Sequence, residues 1–184
     1  MADRIVPDVT YKTRVRDESV GGDNPFRWQD VTTGEIFANR RVVVFAFPGA
    51  FTPTCTTEQC PAFEESYRAL HAAGADEIYC LAVNDAFVMY QWPQKLGLEK
   101  VKMLLDGSAL FTRRMGMLID KAHLGFGLRS WRYAMVVDDG HIVGWFEEPG
   151  INDSGTDDDP CEVSKPEHVL AWLEKHPRQH KMAA

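Results

Sequence analysis

Residues 41–60 read RVVVFAFPGAFTPTCTTEQC. Their first part, Val42 to Phe47, is an unbroken apolar, β-branched and aromatic run, the pattern of a strand covered on both faces. Pro48-Gly49 ends it. From Thr54 to Ala73 the residues Phe63, Tyr67 and Leu70 recur at helical spacing, and Gly74 supplies a stop. Pro61 falls inside that helix and is expected to kink it, because it lacks an N–H and its ring crowds the preceding turn. Glu77–Val83 (EIYCLAV) is a second buried strand. Strand, helix and strand in this order form a parallel unit, with Cys55 in the first turn of its helix.

The same reading extends outward. Asn84-Asp85 caps a helix that runs to about Leu96 and stops at Gly97. Val101–Leu105 fits a short strand, and Ser108 a cap for a short helix over Ala109–Met115. Arg132–Val137 and His141–Phe146 flank Asp138-Asp139-Gly140 and predict a hairpin. Asn152–Pro160 is acidic and loop-like. Ser164-Lys165-Pro166-Glu167 opens a last helix, with Pro and Glu suited to its first turn. The expected fold class is an α/β sandwich: a central mixed sheet, parallel in its first half, closed by an antiparallel pair and flanked by helices.

Bulk properties bound the function. A chain of 184 residues fits one domain, 1–184, with a C-terminal tail after about 176. Its 45% hydrophobic and 26% charged residues suit a folded globular protein. A formal net charge of −7 argues against nucleic acid, whose binders present a basic face. The N-terminus MADRIVPDVTYK has no segment suited to a signal peptide, and the longest apolar run is too short to cross a bilayer. The expectation is therefore a cytoplasmic protein with no membrane partner. In that reducing compartment Cys55, Cys60, Cys80 and Cys161 are core residues, ligands or redox groups rather than structural disulfides.

A zinc site lacks its second half. Cys55-x4-Cys60 is near ligand spacing, but the only close histidine pair, His176-x3-His180, lies in a polar tail. The other histidines (His71, His123, His141, His168) are scattered. The one Gly-rich stretch, Gly125-Phe126-Gly127, lacks the strand-to-helix context of a dinucleotide loop. No metal and no cofactor is signalled. A nucleophile fits better: at a helix N-terminus, free N–H groups and the positive end of the dipole favour a thiolate, the reactive form of cysteine. Thr52, Thr54, Thr56 and Thr57 make the turn polar, unlike the surroundings of an inert core cysteine.

Pro48-Gly49-Ala50-Phe51-Thr52-Pro53-Thr54-Cys55 resembles the peroxidatic loop of peroxiredoxins, in the form used by the peroxiredoxin-5 (type II, atypical) subfamily. Val83–Met89 with Trp92, and Gly127–Gly140 (GLRSWRYAMVVDDG), resemble two further blocks of that subfamily, in the same order. The similarity spans about residues 5–173. It implies a thioredoxin-like fold and a thiol-dependent peroxidase acting on hydrogen peroxide and organic hydroperoxides, with a role in cell redox homeostasis. By position, Cys55 is then the peroxidatic nucleophile, and Pro48, Thr52 and Arg129 complete the active-site set. Arg132 ranks second to Arg129, as an orienting or structural residue.

The sulfenic acid left on Cys55 must be reduced, and the sequence leaves the route open. Cys60 is off-pattern, since the subfamily carries a His-Leu-Pro-like triplet at Gln59-Cys60-Pro61. Its offset from Cys55 resembles another peroxiredoxin subgroup, in which such a cysteine resolves the sulfenate. On an α-helix the two thiols are about 140° apart and about 7.5 Å in rise, so a disulfide needs local unwinding. Cys80 matches the second cysteine of plant members but sits mid-strand. Cys161 follows an acidic loop in the region where animal members place a resolving cysteine. An external thiol, glutathione with glutaredoxin or thioredoxin, stands beside all three and is preferred. The resemblance also implies a homodimer; Phe87, Met89 and Trp92 fit either such an interface or the core. A peroxide sensor or redox-switched chaperone using the same cysteine is the alternative function.

Overall fold

A computed structural model describes residues 4–155 and 159–178. Ten strands and five α-helices are assigned among them: β1 (Arg4–Ile5), β2 (Thr10–Arg16), β3 (Phe26–Thr32), α1 (Thr33–Phe37), β4 (Arg41–Ala46), α2 (Cys60–Ala72), β5 (Glu77–Ala82), α3 (Ala86–Leu96), β6 (Lys102–Leu105), α4 (Leu110–Arg114), β7 (Leu118–Asp120), β8 (Leu128–Ser130), β9 (Tyr133–Asp138), β10 (His141–Glu147) and α5 (Pro166–Lys175). The main sheet has the order β1-β10-β9-β4-β5-β6. β4, β5 and β6 pair in parallel, while β9 pairs antiparallel to β4 and β10 antiparallel to β9. This is the mixed sheet expected, with β4 at its centre because every one of its residues is buried.

Alternation along the strands splits the interior into two cores. Val43 and Phe45 of β4, Cys80 of β5 and Ala134 and Val136 of β9 face a core shared with α2, α3 and α5. Val42, Val44 and Ala46, with Tyr133, Met135 and Val137, face a second core roofed by α1, α4 and the β2–β3 hairpin. Phe45 stacks on Phe63 of α2 with ring centroids 3.9 Å apart, which seats that helix on the sheet.

Three local expectations change. Ser108 does not cap α4; the buried Asp106 does so from further back, accepting from the backbone N–H of Phe111 (3.1 Å) and of Thr112 (2.8 Å). The helix expected from Thr54 is not one regular element. Residues 55–59 form a π-helix, closed by Cys60 N–H donating to the Cys55 carbonyl, and the α-helical turns of α2 begin only at Cys60. Pro61 therefore occupies the start of α2 rather than its interior, where its missing N–H is tolerated, and the π-helix immediately precedes it. The β2–β3 hairpin has no counterpart in the sequence reading.

Candidate active site

The loop 47–54 leaves the carboxyl end of β4 and is held from several sides. The Ala50 N–H donates to Asn84 Oδ1 (3.0 Å), and the Thr52 hydroxyl donates to the Gly49 carbonyl (2.7 Å). A Cβ at Gly49 would stand 2.8 Å from Arg129 Nη1, so glycine is required for the guanidinium to lie across the loop. Phe51 is held at a φ of +64° with its ring 57% exposed. Trp92 of α3 supports the other side: its ring packs edge-on to Phe47, and its Nε1 donates to Thr56 Oγ1 (3.3 Å).

Cys55 lies in the first helical turn after this loop, with its side chain 1% exposed. Thr52 presents the first carbonyl of that turn, accepting from the Thr56 N–H (3.1 Å). Arg132 Nη1 donates to Cys55 Sγ at 3.5 Å, to Gln59 Oε1 at 2.5 Å, and its Nη2 to Asp159 Oδ1 at 2.6 Å. Burial acts to lower the Arg132 guanidinium, but Cys55, Asp159 and Cys161 outweigh it, and the net shift is upward. The cation is permanent at any pH of interest.

The expected site residues thus divide. Pro48, Thr52 and Cys55 lie together, and a cavity of about 300 Å³ opens beside Pro48, Thr52 and Pro53, with Lys121, Phe126 and Asp159 on its other walls. The two arginines of the 127–140 block differ in what they touch. Arg129 Nε donates to the Phe126 carbonyl (2.9 Å) and its Nη1 to the Val83 carbonyl (3.3 Å), so it braces the loop, while Arg132 reaches the sulfur. Strand parity gives the reason. Ala134 and Val136 face the core that holds Cys55, so Arg132, two residues before Ala134, faces it too; the β4–β9 register brings it to the end of β4, where Ala46 pairs with Tyr133.

The other thiols separate by burial. Cys60 and Cys80 are fully buried in the core that contains Cys55, and burial, reinforced by Cys60 and Cys55, pushes the Cys80 thiol well up. Cys161 is half-buried near Arg132; desolvation pushes it up to about 11, with Arg132 opposing and Glu148 adding to the rise. Of the three residues open to either a dimer interface or the core, Met89 and Trp92 are core residues and Phe87 is exposed. Among the described residues no group of three or more His, Cys, Asp or Glu is placed to hold a metal ion, and His180 lies outside them. No described helix is long and apolar enough to cross a membrane.

Known proteins share this architecture. The Redoxin family profile matches residues 6–159. A peroxiredoxin of Rhizobium etli is 54% identical over 171 residues, covering 93% of this chain and 95% of its own. A peroxiredoxin of Synechocystis is 53% identical, covering 94% and 91%. Among solved structures, the antioxidant protein of Plasmodium falciparum, a 1-Cys peroxiredoxin, superposes with a TM-score of 0.84 at 31% identity, covering 94% of this chain and 99% of its own. Reduced Prx3 of Vibrio vulnificus in complex with H2O2 gives 0.79 at 36% identity, covering 95% and 96%. The sandwich is therefore thioredoxin-like, and with sequence and fold agreeing over nearly its whole length, this chain belongs to the peroxiredoxins, a family of thiol peroxidases.

Proposed function

We propose that Cys55 is the peroxidatic nucleophile and that Arg132, not Arg129, is the cation that serves it. The observation that carries this reading is the Arg132 Nη1 to Cys55 Sγ contact at the head of a helix. The Cys55 thiolate attacks one oxygen of a hydroperoxide ROOH and the O–O bond breaks. Cys55 is oxidised to the sulfenic acid, and the leaving alkoxide takes a proton and departs as alcohol, or as water from hydrogen peroxide. Charge passes from sulfur to the leaving oxygen, so fixed donors along that axis stabilise the transition state more than the ground state. Arg132 supplies that charge. The Thr52 hydroxyl, its proton committed to the Gly49 carbonyl, presents lone pairs to the peroxide O–H. Pro48 lines the approach without an N–H to hydrate the thiolate.

Reduction then falls to an external thiol. Glutathione or thioredoxin attacks the sulfenic sulfur, releasing water and forming a mixed disulfide; a second thiol, from glutathione, glutaredoxin or thioredoxin itself, returns Cys55 to the reduced state. The one-cysteine description of the Plasmodium neighbour and the burial of Cys60 and Cys80 support this route over an internal disulfide. The setting is a cytoplasmic homodimer. The test is Cys55→Ser in an assay of glutathione- or thioredoxin-driven peroxide consumption: turnover should vanish, and turnover retained in that variant sinks the proposal.

A further inference from the structure

We infer that Asp159 is a specificity-determining residue: its carboxylate stands on the cavity wall in front of the Arg132 guanidinium and disfavours anionic peroxides relative to neutral ones. Arg132 is 1% exposed and does not line the cavity, whereas Asp159 is 45% exposed and does. Asp159 Oδ1 accepts from Arg132 Nη2 at 2.6 Å, while Nη1 of the same guanidinium donates to Cys55 Sγ at 3.5 Å. One cation therefore serves two anions, the Cys55 thiolate on its core side and Asp159 on its cavity side.

Counting charge gives the direction of the selectivity. With Cys55 ionised, guanidinium, thiolate and carboxylate together are net negative, because one cation faces two anions. A neutral hydroperoxide meets this field only through its dipole. An anionic one is repelled as it approaches the sulfur, the like-charge penalty by which a site rejects a competitor. Lys121 and His123 are the other titratable side chains on the cavity wall, and Lys121 is buried over the Trp131 ring at 5.9 Å. Both stay in place when Asp159 is changed, so loss of its carboxylate shifts the balance by one charge whatever they contribute.

The carboxylate has a fixed seat. Asp159 holds a φ of +49°, in the left-handed region that few residues other than glycine adopt. Just beyond it the chain is tied down by the buried Glu148, whose Oε1 accepts the backbone N–H of Glu162 and of Ser164, each at 2.8 Å, and the Ser164 hydroxyl at 2.7 Å. The negative charge is thus held at one place on the wall. An ion pair that served only to stabilise the loop would affect neutral and anionic peroxides alike, and that difference separates the two roles.

This inference rests on Cys55 as the reacting thiol, and Cys55→Ser tests that separately. Selectivity is read by stopped-flow on the full-length protein, at a single pH where peroxymonosulfate is a monoanion, with hydrogen peroxide as the neutral probe. The step is the same for both: the thiolate attacks, the O–O bond breaks, Cys55 becomes the sulfenic acid, and the leaving group is hydroxide, which takes a proton to become water, or sulfate. The readout is the ratio of the two rate constants, from which the fraction of thiolate cancels. Asp159→Asn keeps an oxygen acceptor and removes the charge, and it should raise the anionic-to-neutral ratio about fivefold. Asp159→Ala should raise it similarly, and Asp159→Glu should hold it within about twofold of the parent's. Added salt should narrow the gap between parent and Asp159→Asn, since it screens the carboxylate. Ratios in Asp159→Asn and Asp159→Ala that equal the parent's, with both rates falling together, overturn the inference and leave a pair that only holds Arg132 in place. Turnover retained by Cys55→Ser would mean that the function itself has failed, an outcome distinct from an unmoved ratio.

Discussion

Arg132 and Arg129 stand three residues apart, and their neighbours assign them different work. Arg132 is buried and touches the sulfur; Arg129 spends its donors on two backbone carbonyls and packs over Gly49. Arg132→Met should lower the second-order rate with hydrogen peroxide by about 10²–10³, the cost of losing one preorganised transition-state donor. Arg132→Lys should not restore it, because an ammonium cannot hold thiol, amide and carboxylate in one plane. Arg129→Met should cost about tenfold or less, through a loosened loop. Equal losses in pre-steady-state rates for the two would contradict this division. The motif match alone favoured Arg129, whereas the alternation Arg132, Ala134, Val136 was in the sequence and points to Arg132. Cys161 is read at the same scale. A thiol held near 11 is protonated at neutral pH, and only the thiolate attacks, so its alkylation should accelerate as pH climbs toward 11. Glutathione-driven turnover of Cys161→Ser at pH 7 should match the parent; a collapse of that turnover would make Cys161 the resolving thiol.

At the scale of elements, the sheet and most helix boundaries follow from sequence patterns, because burial on both faces of β4 and β5 leaves unbroken apolar runs. Asp85 and Gly97 bracket α3 as expected, the first accepting from two backbone N–H groups and the second in the left-handed region. The β2–β3 hairpin was not legible: TYKTRVR and FRWQDVT are polar at most positions and carry no apolar run like that of β4. The π-helix was not legible either, since an extra residue in a turn leaves no compositional trace. Pro61 follows directly and gives no N–H to the turn before it, which removes one α-type bond that would compete with the π-helix. On a regular helix each residue turns about 100°, so removing the extra residue would swing Cys55 and Gln59 away from Arg132. Pro61→Ala restores the N–H and lets the turn close as α. It should slow the peroxide reaction about tenfold or more while stability stays within about 1 kcal/mol, the gained bond offsetting the freer unfolded chain. Stopped-flow rates set beside denaturant midpoints check this, and a parent-like rate would detach the π-helix from catalysis.

For the whole molecule, the exposed aromatic surface bears on assembly. Trp28 (59% exposed) on β3 meets Phe87 (51%) on α3 edge-on at 5.9 Å, and Arg14 lies over both rings and over Phe26. Phe51 stands exposed on the active-site loop, against the Trp92 that α3 inserts behind it. Large aromatic rings left in water forgo their burial energy, and the proposed homodimer would cover them. Met89 and Trp92 cannot contribute, because both are already buried within the chain. Phe87 is then the residue that separates assembly from folding: its ring is half in solvent, so Phe87→Asp should leave the fold intact and introduce an unpaired charge into the contact. Light scattering at micromolar concentration should give about twice the 20.8 kDa chain mass for the parent and the single-chain mass for Phe87→Asp. Because Phe51 stands on the loop that leads directly into Cys55, the monomeric variant should also lose peroxide reactivity, about tenfold, by loosening that loop rather than by changing the chemistry. A parent that runs as a monomer removes the dimer; a monomeric variant with full activity keeps the dimer but uncouples it from the site.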